Sequence, residues 1–231
     1  MAIDKPTRHD IERQMNVWAA IREYVVEVLP SGLPGVLRTD MPAGTWEYVL
    51  FEPTTTALHA AAAITLQDKQ RFLTVIAADT APYKAVATAE HDFDVLAEEV
   101  LMTLDLTAEP EPAAAEGGGF VAAMETKETG TATRCRLAVT EGKGGERAAG
   151  GQVGVDGDMA VYDRIKTEEG MRRKGLGRMV MGRLGEEARK RGARMGWLIA
   201  SPEGQKLYTT LGWDVRCQVL ILGNKDIIKN P

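Results

Sequence analysis

The sequence lacks most of the features that mark membrane, secreted and metal-binding proteins. Its 231 residues include only two cysteines, Cys135 and Cys217, with no C-x-x-C spacing, which argues against a disulfide scaffold or a structural zinc site. No apolar run reaches the roughly 18 residues of a membrane helix, and the longest candidate, Ala57 to Leu66, contains His59. Acidic residues occupy the N-terminus, where a secretory signal has a basic region and then an apolar stretch. We therefore expect a cytoplasmic protein with no metal and no membrane partner.

Aromatic residues are also scarce, at 6%, yet hydrophobic residues make up 44% of the chain, which is enough for a real core and excludes a disordered protein. The charge is uneven. Residues 1–118 contain 8 Lys and Arg against 19 Asp and Glu, a balance of −11, whereas residues 119–231 contain 20 against 14, a balance of +6. A basic half suggests an anionic ligand, although charges that only solvate helix faces give the same counts.

A segment rich in Pro, Ala and Gly, residues 107–118, is the clearest domain boundary. It cannot form a continuous helix and contains nothing large enough to bury. It separates a smaller N-terminal α/β domain, residues 1–106, from a second domain, residues 119–231.

The N-terminal domain is predicted from strands that alternate with helices. A capping-box-like start at Thr7 and an apolar spacing of three and four predict a helix that ends at Pro30. Further elements are a helix at 57–66 and strands at 46–51, 71–78 and 99–106.

The C-terminal domain has its own series of elements. The Asp156-Gly157 pair predicts a tight hairpin, a long helix runs from Leu176 to a stop at Gly192, and Ser201 caps a short helix that begins at Pro202. The predicted strands cover 132–139, 148–155, 159–167, 195–200 and 215–222.

The two halves show a weak internal sequence similarity. Val75-Ile76-Ala77 leads to Phe93-Asp94-Val95, much as Leu198-Ile199-Ala200 leads to Trp213-Asp214-Val215. A duplication in which the N-terminal copy has degenerated would explain this similarity, and so would chance similarity between α/β segments. Both interpretations stay open.

The most informative stretch is Arg172-Arg173-Lys174-Gly175-Leu176-Gly177, between a strand and a long helix. Glycines allow close approach to the backbone, and the unpaired N–H groups of the first helical turn, with the helix dipole and the flanking cations, make an anion site. A dinucleotide fingerprint needs a third glycine where Val180 stands, and a P-loop needs Gly-Lys-Ser/Thr. The remaining anion is the pyrophosphate of coenzyme A.

These residues resemble the acyl-CoA motif of the GNAT superfamily of N-acetyltransferases, Arg/Gln-x-x-Gly-x-Gly/Ala. The likeness extends to a Leu-Tyr-x-x-x-Gly-Phe-like ending at Leu207-Tyr208 and Leu211-Gly212-Trp213, and covers roughly residues 119–222. It implies a C-terminal GNAT fold, with a mixed, mostly antiparallel sheet flanked by helices. The N-terminal half is then either a degenerate GNAT-like half or an unrelated α/β domain.

The resemblance assigns roles to individual residues. It implies acetyl-CoA as the acyl donor, pantetheine between two splayed strands, and Tyr208 as the acid that protonates the departing thiolate. The N–H of Ile165 is the candidate for polarising the thioester carbonyl, and Asp163 and Glu168 are candidates for the base, as is a water chain. The implied cofactor-binding residues are Ile165, Lys166, Thr167, Arg172, Arg173, Lys174, Gly175, Leu176, Gly177, Arg178 and Ser201.

The expected reaction is direct transfer of acetyl from acetyl-CoA to a primary amine within a ternary complex. The acceptor is a small molecule or, alternatively, a protein amine, and a non-catalytic acyl-CoA sensor remains a rival. Nucleic-acid binding is disfavoured, since the basic residues of the long helix have no interleaved aromatics. A homodimer is left open.

Overall fold

The computed structural model describes residues 5–41, 44–108, 119–224 and 226. All but the first two residues of the predicted linker at 107–118 lie outside this part. The chain divides into two compact units. The first comprises Met1–Met102, Ile199–Gln205 and Val215–Pro231, and the second Thr103–Leu198 and Lys206–Asp214. Among the described helices, none has the length and apolarity to cross a bilayer.

Helices and strands alternate along the first half of the chain, and strands dominate the start of the second half. In chain order the elements are α1 (Arg8–Arg22), β1 (Val25–Val28), β2 (Pro34–Leu37), β3 (Trp46–Phe51), α2 (Thr55–Thr65), β4 (Arg71–Ala77), α3 (Ala81–Glu90), β5 (Asp94–Asp105), β6 (Phe120–Thr129), β7 (Ala132–Glu141), β8 (Arg147–Asp156), β9 (Met159–Thr167), a 3-10 turn (Glu169–Met171), α4 (Leu176–Lys190), β10 (Met195–Ala200), α5 (Pro202–Thr210) and β11 (Asp214–Gly223).

Each unit contains a mixed, mostly antiparallel arrangement of strands with helices packed on it, which confirms the predicted α/β class. In the first unit the strand order is β1-β2-β3-β4-β11-β5, with β3 and β4 parallel and the pairs β1–β2, β2–β3 and β4–β11 antiparallel. In the second unit the order is β10-β9-β8-β7-β6, where β9–β10 is parallel and the other pairs are antiparallel.

The helices pack on the strands through apolar stripes. In the first unit, Leu58 of α2 is buried with Leu73 of β4 and Leu220 of β11. In the second unit, α4 buries Val180 and Leu184 and packs on β7, β8 and β9. Each fully buried aliphatic side chain contributes about 1.5–3 kcal/mol of hydrophobic free energy, so these stripes hold the helices against the strands.

The first helix begins as predicted but ends earlier. Thr7 Oγ1 accepts a hydrogen bond from the Asp10 N–H at 3.2 Å, and the Asp10 carboxylate accepts one from the Thr7 N–H at 2.9 Å, so the capping box is confirmed. The predicted end at Pro30 is wrong. Glu23 is left-handed, with φ 59°, and β1 follows, because its β-branched valines pair in an antiparallel ladder with β2.

The other elements follow the predictions with shifted ends or additions. Strands β3, β9 and β10 have the predicted bounds, Gly157 takes a positive φ of 57° in the hairpin, and β5 begins five residues earlier than the predicted start at residue 99. Helix α3 lies in a region with no assigned element. Strands β2 and β6 are also additions. Strand β2 is only four residues long, and β6 is mostly exposed, with a polar second half.

Candidate active site

Strands β9 and β10 begin as a parallel pair and then separate. Their register runs from Met195 opposite Met159 to Trp197 opposite Val161. Within the second unit β9 continues to Thr167 and β10 to Leu198, and no further pair joins them among the residues that the structure describes in this unit. Backbone polar groups need partners, so the diverging segment of β9 presents peptide groups that an extended ligand can bind.

A β-bulge lies in this same segment of β9. On the side of β8, Gln152 pairs with Asp163 and Gly150 pairs with Lys166, so Gly151 alone faces two residues. One of them, Arg164, has a positive φ of 52°. Bulges break the ladder and redirect side chains, often beside active sites. The bulge places Ile165, the predicted carbonyl-polarising residue, at an irregular position of the strand.

The predicted anion loop follows the end of β9. Arg172, Arg173 and Lys174 are exposed, and Gly175, the N-cap residue of α4, has φ 77° and no side-chain capping bond. The N-cap residue therefore supplies no side-chain acceptor to the N–H groups of the first turn. These groups follow three consecutive cations at the positive end of the helix dipole. Such an arrangement favours a phosphate or pyrophosphate.

The second glycine of the motif lets α4 lie close to α5. A Cβ on Gly177 would be 2.9 Å from Leu207 Cδ2 and 3.9 Å from Thr167 Oγ1. A side chain at this position would push against α5 on one side and approach the end of β9 on the other. The absence of a side chain at Gly177 therefore allows the end of β9, the first turn of α4 and the second half of α5 to lie close together.

The next residue on α5 is Tyr208, whose side chain is only 8% exposed. Its ring lies 6.1 Å from Trp213 between centroids, and the turn after α5 is closed by the Trp213 N–H, which donates to the Tyr208 carbonyl at 3.1 Å. Burial, with a smaller contribution from the Asp163 carboxylate, raises the pKa of Tyr208 to about 12. The raised pKa makes this phenol a weaker acid than an ordinary tyrosine, which is itself protonated at neutral pH.

Asp163 is the carboxylate whose negative charge helps to raise the pKa of Tyr208. Gln152 on β8 donates from Nε2 to Asp163 Oδ2 at 2.7 Å. The other candidate base, Glu168, has a different environment, because its carboxylate lies 3.0 Å from Lys166 Nζ in an ion pair. Asp163 and Glu168 thus differ in their surroundings, although only a short stretch of β9 and its end separates them in the sequence.

Comparisons with known proteins identify the fold. No protein-family model matches the chain, and no curated protein does. Three solved structures are similar along most of their lengths. A GCN5-related N-acetyltransferase from Kribbella flavida has 17% identity and a TM-score of 0.61, covering 92% of this chain and 93% of that one. A tandem GNAT protein from the clavulanic acid biosynthesis pathway, solved without AcCoA, has 12% identity and a TM-score of 0.59, covering 82% and 77%. A GCN5-related N-acetyltransferase from Sphaerobacter thermophilus has 13% identity and a TM-score of 0.53, covering 87% and 80%.

The chain has the GNAT fold. This confirms the fold that the glycine motif and its flanking elements predicted. Identities of this size establish the fold and leave the reaction and the acceptor to be argued from the site.

Within the second unit, several predicted residues lie together. The end of β9 adjoins the first turn of α4, and Tyr208 is electrostatically coupled to Asp163. Ser201, predicted both as a helix cap and as a cofactor contact, is the cap, since its hydroxyl accepts from the Gly204 N–H at 3.2 Å. Its role toward a cofactor stays a prediction, as do the roles of Lys166 and the cations of the loop.

The sequence analysis missed Gln152. It is the polar residue among the small and apolar residues that lie between Arg147 and Asp156 at the two ends of β8, and it is 1% exposed. A lone amide among glycines and valines is the available signal, but its partner depends on the register of β8 against β9. Within the described ranges there is no group of three or more potential metal ligands.

Proposed function

We propose that the chain is an N-acetyltransferase that carries acetyl from acetyl-CoA to a primary amine by direct attack. The observation that carries the proposal is the opening of the β9–β10 pair beside a helix tip that has no side-chain cap and carries three cations. Few ligands combine an extended amide chain with a pyrophosphate, and coenzyme A does so.

Each part of the cofactor has a matching surface in the second unit. Pantetheine amides would pair with the backbone of Ile165, Lys166 and Thr167, where β9 has left β10. The pyrophosphate would accept hydrogen bonds from the first turn of α4, with charge from the loop that precedes it. This proposed pyrophosphate site, the cofactor seat, consists of Arg172, Arg173, Lys174, Gly175, Leu176, Gly177 and Arg178.

The chemistry needs one proton acceptor and one proton donor. The amine nitrogen attacks the thioester carbonyl, the C–N bond forms, and the C–S bond then breaks to release the CoA thiolate. A proton from the amine passes to Asp163, directly or through water, and the thiolate takes the Tyr208 proton, which solvent later replaces. The Ile165 N–H would bind the carbonyl oxygen as it gains negative charge.

The two proton transfers assist each other. The negative charge of Asp163 is one cause of the raised pKa of Tyr208. When Asp163 takes a proton from the amine, that charge disappears and Tyr208 becomes a stronger acid, at the moment when the leaving sulfur needs a proton. Asp163 is therefore the base we favour, and Glu168, held by Lys166, is the second choice.

The first unit fits a degenerate GNAT half without a cofactor seat. Its series β3-α2-β4-α3-β5 repeats the order β9-α4-β10-α5-β11, yet β3 and β4 stay paired over their whole length, from Trp46 opposite Arg71 to Phe51 opposite Ile76. The N-terminus of α2 is closed by Thr54, whose Oγ1 accepts from the Ala57 N–H at 3.2 Å. We therefore propose one acetyl-CoA per chain, bound by residues 119–231.

A thiol-release assay with acetyl-CoA and a panel of amines tests the proposal. We expect CoA release that depends on both the enzyme and one class of amine, with the acetylated amine visible by mass spectrometry. The panel should include polyamines, amino acids, aminoglycosides and a lysine-containing peptide. Binding of acetyl-CoA without turnover of any amine would favour the non-catalytic sensor, and transfer to the peptide alone would make the acceptor a protein amine.

A further inference from the structure

We propose that Gln152 is a positioning residue for acetyl transfer, which holds the Asp163 carboxylate in place to receive the proton of the amine. This inference rests on the proposed function. The geometry behind it is the cross-strand pair of Gln152 and Asp163 at the edge of the β9 bulge.

The two side chains share one face of the sheet. Gln152 and Asp163 are direct partners in the antiparallel β8–β9 register, and partners of this kind project to the same side. A side chain on the neighbouring Gly151 would meet Ile165 and Val180, so α4 covers the opposite face. Asp163 is the last residue of β9 in regular register before the bulge, and Gln152 is a side-chain partner that can hold its carboxylate there.

The hydrogen bond to Asp163 determines which way round the amide of Gln152 lies. Nε2 donates to Asp163 Oδ2 at 2.7 Å, whereas the buried Oε1 has no hydrogen-bond partner among the described residues. A flipped amide would put two oxygens against each other at that distance, so the donor must face the carboxylate. A half-satisfied buried amide costs stability compared with an apolar side chain of the same shape. Its presence next to Asp163 therefore indicates a functional requirement.

The position of Asp163 matters because its charge acts on Tyr208. Without the Gln152 donor, the carboxylate would turn toward other partners or solvent. Its electrostatic effect on the phenol would then weaken, and so would its alignment with an incoming amine. One interaction would thus affect both proton-transfer groups.

The test is Gln152→Met, which keeps the volume and removes the donor. We expect kcat to fall about 10-fold through lost alignment, the KM for acetyl-CoA to stay unchanged, and thermal stability to be equal or higher. The Tyr208 titration, read as the tyrosinate absorbance of each protein minus that of its Tyr208→Phe counterpart, should shift to lower pH, as it should in Asp163→Asn. Thr65→Val, also a buried polar residue made apolar, is the control and should change neither kcat nor the titration.

Gln152→Asn provides a second variant, because it retains the amide but is one methylene too short to reach Asp163, and it should show the same losses. Wild-type kcat and an unmoved Tyr208 titration in a folded Gln152 variant would overturn the positioning role. If the titration shifts but the wild type transfers acetyl to no amine, the contact stands and the proposed function fails. The two hypotheses are therefore tested separately.

Discussion

Replacing Tyr208 by Phe is expected to lower kcat about 100-fold, the usual contribution of a positioned general acid, and to leave the affinity for acetyl-CoA unchanged. The phenol is protonated at neutral pH and is buried on α5, which raises its pKa to about 12. The substitution removes one oxygen and preserves the ring that packs near Trp213. Steady-state kinetics, with direct measurement of acetyl-CoA binding, separate the two effects.

Tyr162→Phe is the matched control for this variant. Tyr162 is also buried, and its ring makes an edge-to-face contact with the same tryptophan at 5.1 Å between centroids, but it lies on the side of β9 that faces α4, near Gly185. It should keep wild-type turnover. If both variants retain full kcat, Tyr208 is a packing residue and the proton for the thiolate comes from another source.

The second large effect is expected at Gly175. Gly175→Ala should weaken acetyl-CoA binding about 10-fold, which corresponds to about 1.4 kcal/mol, because a residue with a Cβ is disfavoured at φ 77°. The space around the new Cβ is open, so the loss comes from the backbone. A loop that relaxes away from positive φ no longer directs the N–H groups of the first turn of α4 at the pyrophosphate.

Gly170→Ala isolates this cause. Gly170 lies in the 3-10 turn of the same loop region, also has open space where a Cβ would lie, and does not have a positive φ. It should bind acetyl-CoA like the wild type. Equal affinities for the two alanine variants would mean that the conformation of Gly175 plays no part in binding.

The sequence predicted the parts of this site that depend on local chemistry. The left-handed glycine and the exposed cations before α4 depend on backbone conformation and charge, which adjacent residues determine, and β10 has the predicted bounds because it is a compact apolar run. A short motif places Tyr208 on α5. The binding and catalytic roles of these residues stay predictions.

The missed features depend on contacts between distant segments. The helix was predicted to reach Pro30 because the apolar spacing of α1 continues by coincidence through the valines of β1. These valines form a strand because β1 pairs with β2. The bulge at Arg164 and the contact between Gln152 and Asp163 both follow from strand register. Register depends on which strands meet, and no local pattern in β8 or β9 encodes it.

Equilibrium dialysis of the purified chain against labelled acetyl-CoA tests the central claim most directly. The account predicts saturable binding of one molecule per chain, because β9 and β10 separate beside an open helix tip whereas β3 and β4 stay paired. Binding of two molecules would contradict the proposal that the first unit has no acetyl-CoA site. No binding at all would contradict the cofactor seat on which the proposed reaction depends.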